Sequence, residues 1–166
     1  MVIKISAMLL TILGGAFFGI DRSEKLKNRA EICREIEKVL QICEFTIKSS
    51  DSDVYSIAGK LKNNSFNGLS FFRNLPERYE AGKNFRNDWE NAILKSKLES
   101  EEKQLLREFG RTLGTSDTDG QLKVISAYIE EIHSLYEQRK AEYTKKGKLY
   151  RSLGILGGIM AGIIVI

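Results

Sequence analysis

Histidine, proline and tryptophan are nearly absent: His133, Pro76 and Trp89 are the only ones among 166 residues. A single histidine, set beside an apolar helical seam, offers little for acid–base or metal chemistry. The chain has no Walker sequence, no Rossmann glycine pattern, no HExxH and no cysteine pair at zinc spacing. No catalytic residue, metal ligand or cofactor is therefore assigned, and the protein is not expected to be an enzyme. The two cysteines, Cys33 and Cys43, fall on what reads as one helix. Their separation of ~15 Å along its axis is too long for a disulfide within it. Reduced thiols suit a cytoplasmic domain. Strand signals are missing as well, since Asn67-Gly68 is flanked by helical rather than alternating spacing. Charge of one sign is also lacking: with Lys4 and Arg151 set aside, 24 basic residues face 22 acidic ones. Nucleic acid is not an expected partner.

What the chain does have is apolar sequence at both ends. Residues 5–20 and 152–166 contain no charge. Extended to 1–20 and 149–166, each run reaches about the ~30 Å of a hydrocarbon core, with Lys4 and Arg151 snorkelling to the interfaces. A short run behind Lys4 also fits a signal peptide. The positive-inside rule favours an anchor instead, because Arg22, Lys25, Lys27 and Arg29 follow the first run. Arg139, Lys140, Lys145, Lys146, Lys148 and Arg151 lie on the same side of the second run. The expected organisation is a transmembrane helix over 1–20, a cytoplasmic domain over 21–148 and a transmembrane helix over 149–166, with both termini outside the cell membrane. Gly154, Gly158 and Gly162 repeat every fourth residue, as do Gly15 and Gly19. Small residues at that spacing let membrane helices approach closely, within one chain or by self-association.

The middle of the chain reads as helices throughout. Leu26, Ala30, Cys33, Ile36, Leu40, Cys43 and Ile47 recur at three- and four-residue steps, and no strong breaker separates them from the first apolar run. A short helix carries Val54, Ile57, Ala58 and Leu61 behind a cap at Ser50 or Asp51. Phe66, Leu69, Phe72 and Leu75 follow on one face, where Pro76 holds Leu75 out of helical geometry and breaks or kinks the helix. Gly82 reads as a stop. Phe85, Trp89, Ala92 and Ile93 mark the next helix, with Trp89 in the core. Ser100 opens another. From Asp117 the longest periodic run, Leu122, Ile125, Ile129, Ile132 and Tyr136, can continue unbroken into the C-terminal apolar segment. The fold class is all-α: an antiparallel bundle of about six helices with a membrane helix at each end.

Residues 105–121, LLREFGRTLGTSDTDGQ, form the corner between the last two helices. Gly114 sits where a left-handed residue would end the first, Ser116 or Thr118 can cap the second, and Gln121 can complete a capping box with Thr118. Read as a calcium loop with Gly120 at position six, the segment puts Thr115 and Ser126 where carboxylates are required, so capping is preferred.

The string FGRTLGTSDTDGQ, followed by a helix entering a glycine-rich apolar terminus, resembles the stage III sporulation protein AB family of endospore-forming bacteria. That family is related to the F-type inner-membrane platform proteins of type II secretion and type IV pilus machines. The likeness is weaker over residues 26–44 and 89–92, and SSDSDVYS departs from the family's usual pattern. The resemblance implies a non-enzymatic platform in the mother-cell membrane, part of a channel-like complex joining mother cell and forespore. Its expected partners are the stage III sporulation protein AA ATPase and other membrane components of that channel. Arg107, Arg111, Asp117 and Gln121, at or beside the corner, are the candidate partner-binding residues. The alternative is a membrane-anchored helical sensor, which needs an apolar pocket with convergent polar groups.

Overall fold

The computed structural model describes residues 2–49, 54–78, 84–115 and 117–165. The expected caps at Ser50, Asp51 and Ser116, the stop at Gly82, and the side chains of Lys4 and Val54 lie outside the described residues. Among them, the chain is helical and contains no strand: α1 Val2–Ser49, α2 Val54–Asn63, α3 Phe85–Leu94, α4 Ser100–Thr112 and α5 Thr118–Val165, with a 3-10 segment at Ser70–Asn74. The sixth expected helix is that 3-10 segment. Pro76 accounts for its brevity, because Leu75 before it is extended, at φ −71° and ψ 142°. With no breaker between the apolar run and the amphipathic seam, α1 continues through both. α5 likewise runs unbroken past Gly147 into the C-terminal apolar segment.

The helices contribute to two compact units, one of Met1–Glu31 with Leu135–Ile166 and the other of Ile32–Ser134. In the second unit the three- and four-residue spacing of α1 puts Cys33, Ile36, Leu40, Cys43 and Ile47 in the core. Neither cysteine is in a disulfide, and burial pushes the Cys43 thiol far above its ordinary range. Trp89 is 1% exposed and centres an aromatic cluster. Its ring lies 5.0 Å from Phe72, 6.0 Å from Phe85 and 5.9 Å from Phe109, and Phe109 meets Tyr128 edge-on at 5.7 Å. The loop between α2 and the 3-10 segment is fixed by Glu35, which accepts the backbone N–H groups of Asn67 and Gly68 at 2.8 Å each. His133 is an exposed flanking residue whose Nδ1 lies 3.1 Å from Glu37 Oε1.

In the first unit α1 and α5 run antiparallel and meet through glycines. A Cβ built on Gly15 would stand 2.5 Å from the Gly154 carbonyl oxygen and 2.8 Å from Gly158 Cα. One on Gly19 would stand 2.5 Å from the Tyr150 carbonyl oxygen. Gly158 faces Ile12, and Gly162 faces Met8. At Gly15, Gly19 and Gly154 the backbones are too close for any larger residue, whereas at Gly162 the nearest atom belongs to the Met8 side chain. The large side chains point the other way: Leu10, Phe17, Phe18, Leu153, Met160 and Ile164 are each more than half exposed. The N-terminal part of α1 is long and apolar enough to cross a membrane.

Candidate functional site

The corner is built from the end of α4, a tight turn and the start of α5. α4 stops at Thr112, and Leu113 is already extended at φ −62° and ψ 124°. Gly114 then takes φ 71°, and the Thr115 N–H donates to the Thr112 carbonyl at 3.3 Å. This is a type II turn. Gly114 thus has the expected positive φ, directly after the C-cap Leu113, where it is also the third residue of the turn.

Asp117 is the cap of α5. Its carbonyl accepts the Gln121 N–H at 3.0 Å, and its carboxylate accepts the Gly120 N–H at 3.3 Å. Thr118 is the first helical residue, so the expected capping box does not form. Gln121 reaches back over the turn instead: buried to 7% exposure, its side-chain oxygen accepts the Gly114 N–H at 3.3 Å. A donor left over by the turn is thereby satisfied.

Arg107 and Arg111, one turn apart on α4, converge on Glu90 of α3. Arg107 Nε donates to Glu90 Oε1 at 2.9 Å, and its Nη2 pairs with the same oxygen. Arg111 Nη2 approaches it at 3.4 Å with 56% of its side chain exposed. The Arg107 hydrogen bond, reinforced by the charges of Arg107 and Arg111 against a smaller opposing effect of burial, holds the Glu90 carboxyl below the usual range. Beside this cluster the Trp89 indole N–H donates to the Leu106 carbonyl at 2.8 Å. Its ring fills a notch left by Gly110, where a Cβ would overlap Cδ1 and Nε1 and stand 3.1 Å from Cγ. Charge-assisted bonding outside and an indole wedged inside lock α3 to α4.

The structure therefore gives Arg107, Arg111, Asp117 and Gln121 each a contact that supports the corner. Glu90 and the notch at Gly110 have no signal in the one-dimensional pattern, because both depend on how α3 docks on α4. Glu102 is another such residue. It lies in the first turn of α4 at 1% exposure, with Oε1 3.9 Å from the Cys33 sulfur and Oε2 without a partner among the described residues. In the other unit Arg151, the residue immediately before the uncharged tail, turns back from it. Its Nε donates to the buried Ser23 hydroxyl at 3.0 Å and its Nη2 to the Tyr143 hydroxyl at 3.2 Å.

No solved structure matches this chain. The family model described as Stage III sporulation protein AB matches residues 4–166. The protein of that name from Bacillus subtilis (strain 168) is 20% identical over 164 residues, covering 95% of this chain and 96% of that protein. With the matched region running from the first apolar helix through the corner to the end of the last, the chain belongs to the stage III sporulation protein AB family.

Proposed function

We propose that the protein is a non-enzymatic membrane platform in sporulation. Residues 1–20 and 149–166 cross the membrane, and residues 21–148 stand on the mother-cell side as a helical docking domain. Family membership supports the role in sporulation. The observation that carries the membrane reading is the pairing in the first unit. Two helices spend their small residues on each other and turn Leu10, Phe17, Phe18, Leu153, Met160 and Ile164 outward. In water that surface would be a large unpaid exposure, whereas in lipid it is the expected one.

The docking partner in this reading is a secretion-type ATPase of the stage III sporulation protein AA kind, within a channel-like complex between mother cell and forespore. Arg107, Arg111 and Asp117 form the contact surface, backed by the buried Gln121, with Arg111 at its centre because more than half of its side chain is exposed. The test is Arg111→Glu. Its contact to Glu90 is long and exposed, and Arg107 keeps the stronger one, so the melting temperature should change little. Recovery of the ATPase in pull-downs from sporulating cells should fall about tenfold, as expected for reversing one central interface charge. Full recovery by a correctly folded variant would remove this surface from consideration.

A further inference from the structure

The positive charge of the chain is not spread over it. Unit Ile32–Ser134 carries 15 basic and 17 acidic residues, so the whole excess of the chain belongs to the other unit. Leaving Lys4 aside, residues 21–31 and 135–151 of that unit hold ten basic side chains against five acidic ones. Three of the five carboxylates are paired with cations of the same unit. Asp21 pairs with Lys25, and Glu137 with Lys140. Glu142 pairs with Lys146 and feels Arg29 and Arg139 as well, which holds its carboxyl low.

Five cations remain with no carboxylate partner among the described residues: Arg22, Lys27, Lys145, Lys148 and Arg151. They sit at one level of the helix pair. Gly19 is against Tyr150 and Arg151, and Ser23 is against Gly147 and Arg151, so residues 22–27 and 145–151 lie side by side. At ~1.5 Å per residue the band is only about 10 Å deep. It begins where the apolar surface ends. Arg22 lies over the Phe18 ring at 5.3 Å, and Arg151 is held by Ser23 and Tyr143 through two of its five N–H donors, leaving a fork open to solvent.

We propose that this collar binds phosphate esters, and that their source is the headgroup of anionic membrane lipid. The proposal rests on reading the two apolar helices as membrane-spanning. Guanidinium forks and lysines at headgroup depth match phosphate oxygens, and each such cation near an anionic surface adds to the preference for charged over zwitterionic lipid. Orientation by positive charge requires only a charge difference across the membrane. A ring of unpaired cations at one depth further selects the lipid that surrounds it.

The test uses the full-length protein and a Lys27→Gln/Lys145→Gln/Lys148→Gln variant, each reconstituted in mixed phosphatidylglycerol and phosphatidylcholine. Lipid retained after gentle extraction is counted by native mass spectrometry. The wild-type protein should retain the anionic lipid about tenfold over its bulk ratio and lose that preference in 1 M salt, while the variant should retain both in proportion. Alkaline carbonate washing of the same membranes separates the two readings. Protein that stays in the membrane without any lipid preference overturns the collar alone, whereas protein released by carbonate overturns the membrane reading and the collar with it. Phosphorus NMR with inorganic phosphate and the detergent-solubilised protein distinguishes the source. Binding of free phosphate as tight as lipid, lost equally in the variant, would reassign the collar to a soluble anion and overturn the lipid proposal.

Discussion

Gly110→Ala should destabilise the protein although it places a better helix former inside a helix. Alanine's higher propensity favours the substitution by about 1 kcal/mol. Against that, the new Cβ would overlap Trp89 Cδ1 and Nε1, so the indole must move. It has nowhere to go, being 1% exposed and hemmed by Phe72, Phe85 and Phe109. Overpacking a filled core costs about 1–3 kcal/mol, and loss of the bond to the Leu106 carbonyl adds about 1 kcal/mol. The balance is a loss of about 1–3 kcal/mol, or roughly 4–8 °C of melting temperature per kcal/mol for a core of this size. Gly59→Ala is the matched control. Gly59 lies in α2 with nothing within 4 Å of a Cβ, so there the gain in propensity is unopposed and the sign reverses. Urea titrations followed by Trp89, the only tryptophan, report both stability and the displaced indole. In a Trp89→Leu background, followed by circular dichroism, the cost of Gly110→Ala should disappear. A Gly110→Ala protein at least as stable as the parent would refute the notch.

Three further expectations follow from the same geometry. Gly114→Val should lower stability by more than about 1 kcal/mol, because φ 71° is unfavourable for a β-branched residue, and an unchanged melting temperature would exclude the turn. Glu90→Gln should lose stability at pH 7 relative to the parent, and the gap should close on acidification. The folded carboxyl is held low, so the ion pair's contribution is present above the ordinary carboxylate pKa and vanishes as pH falls through the depressed one; a gap that persists at pH 2 in urea midpoints would contradict this. Gly154→Leu should separate the apolar helices, whose backbones leave no room for a side chain there. Disulfide trapping between cysteines placed at Met8 and Gly162, where a Cβ on Gly162 stands 3.0 Å from Met8 Cγ, would fall sharply in that variant, and unchanged trapping would count against the glycine contact.

The helices were legible because burial follows period. Of Leu26, Ala30, Cys33, Ile36, Leu40, Cys43 and Ile47, spaced at three- and four-residue steps, all but the half-buried Leu26 are buried. The same reading passed over Val39, fully buried one position from Leu40, because a helix enclosed by several neighbours buries a stripe wider than one row. It also passed over Leu98, a core residue in the connection between α3 and α4, where no period exists to reveal it. Phe45 shows the converse. It lies off the stripe, stays exposed, and stacks under the Lys60 ammonium at 5.4 Å, a contact between helices that α1 alone does not encode.

The corner was legible as a corner, and much less as a surface. Its string is recognisable because most of its residues are constrained internally. Gly110 makes room for an indole, Gly114 takes a positive φ, Asp117 caps a helix, Gln121 satisfies the turn, and Arg107 pairs firmly with Glu90. Each of these would be kept by the fold whether or not anything docks there, so the distinctiveness of the string is no measure of contact with a partner. Arg111 is different. Its single long approach to Glu90 duplicates what Arg107 does better, and more than half of its side chain faces solvent. An exposed guanidinium that adds so little to the fold is the residue of this string whose charge is best explained by something outside it.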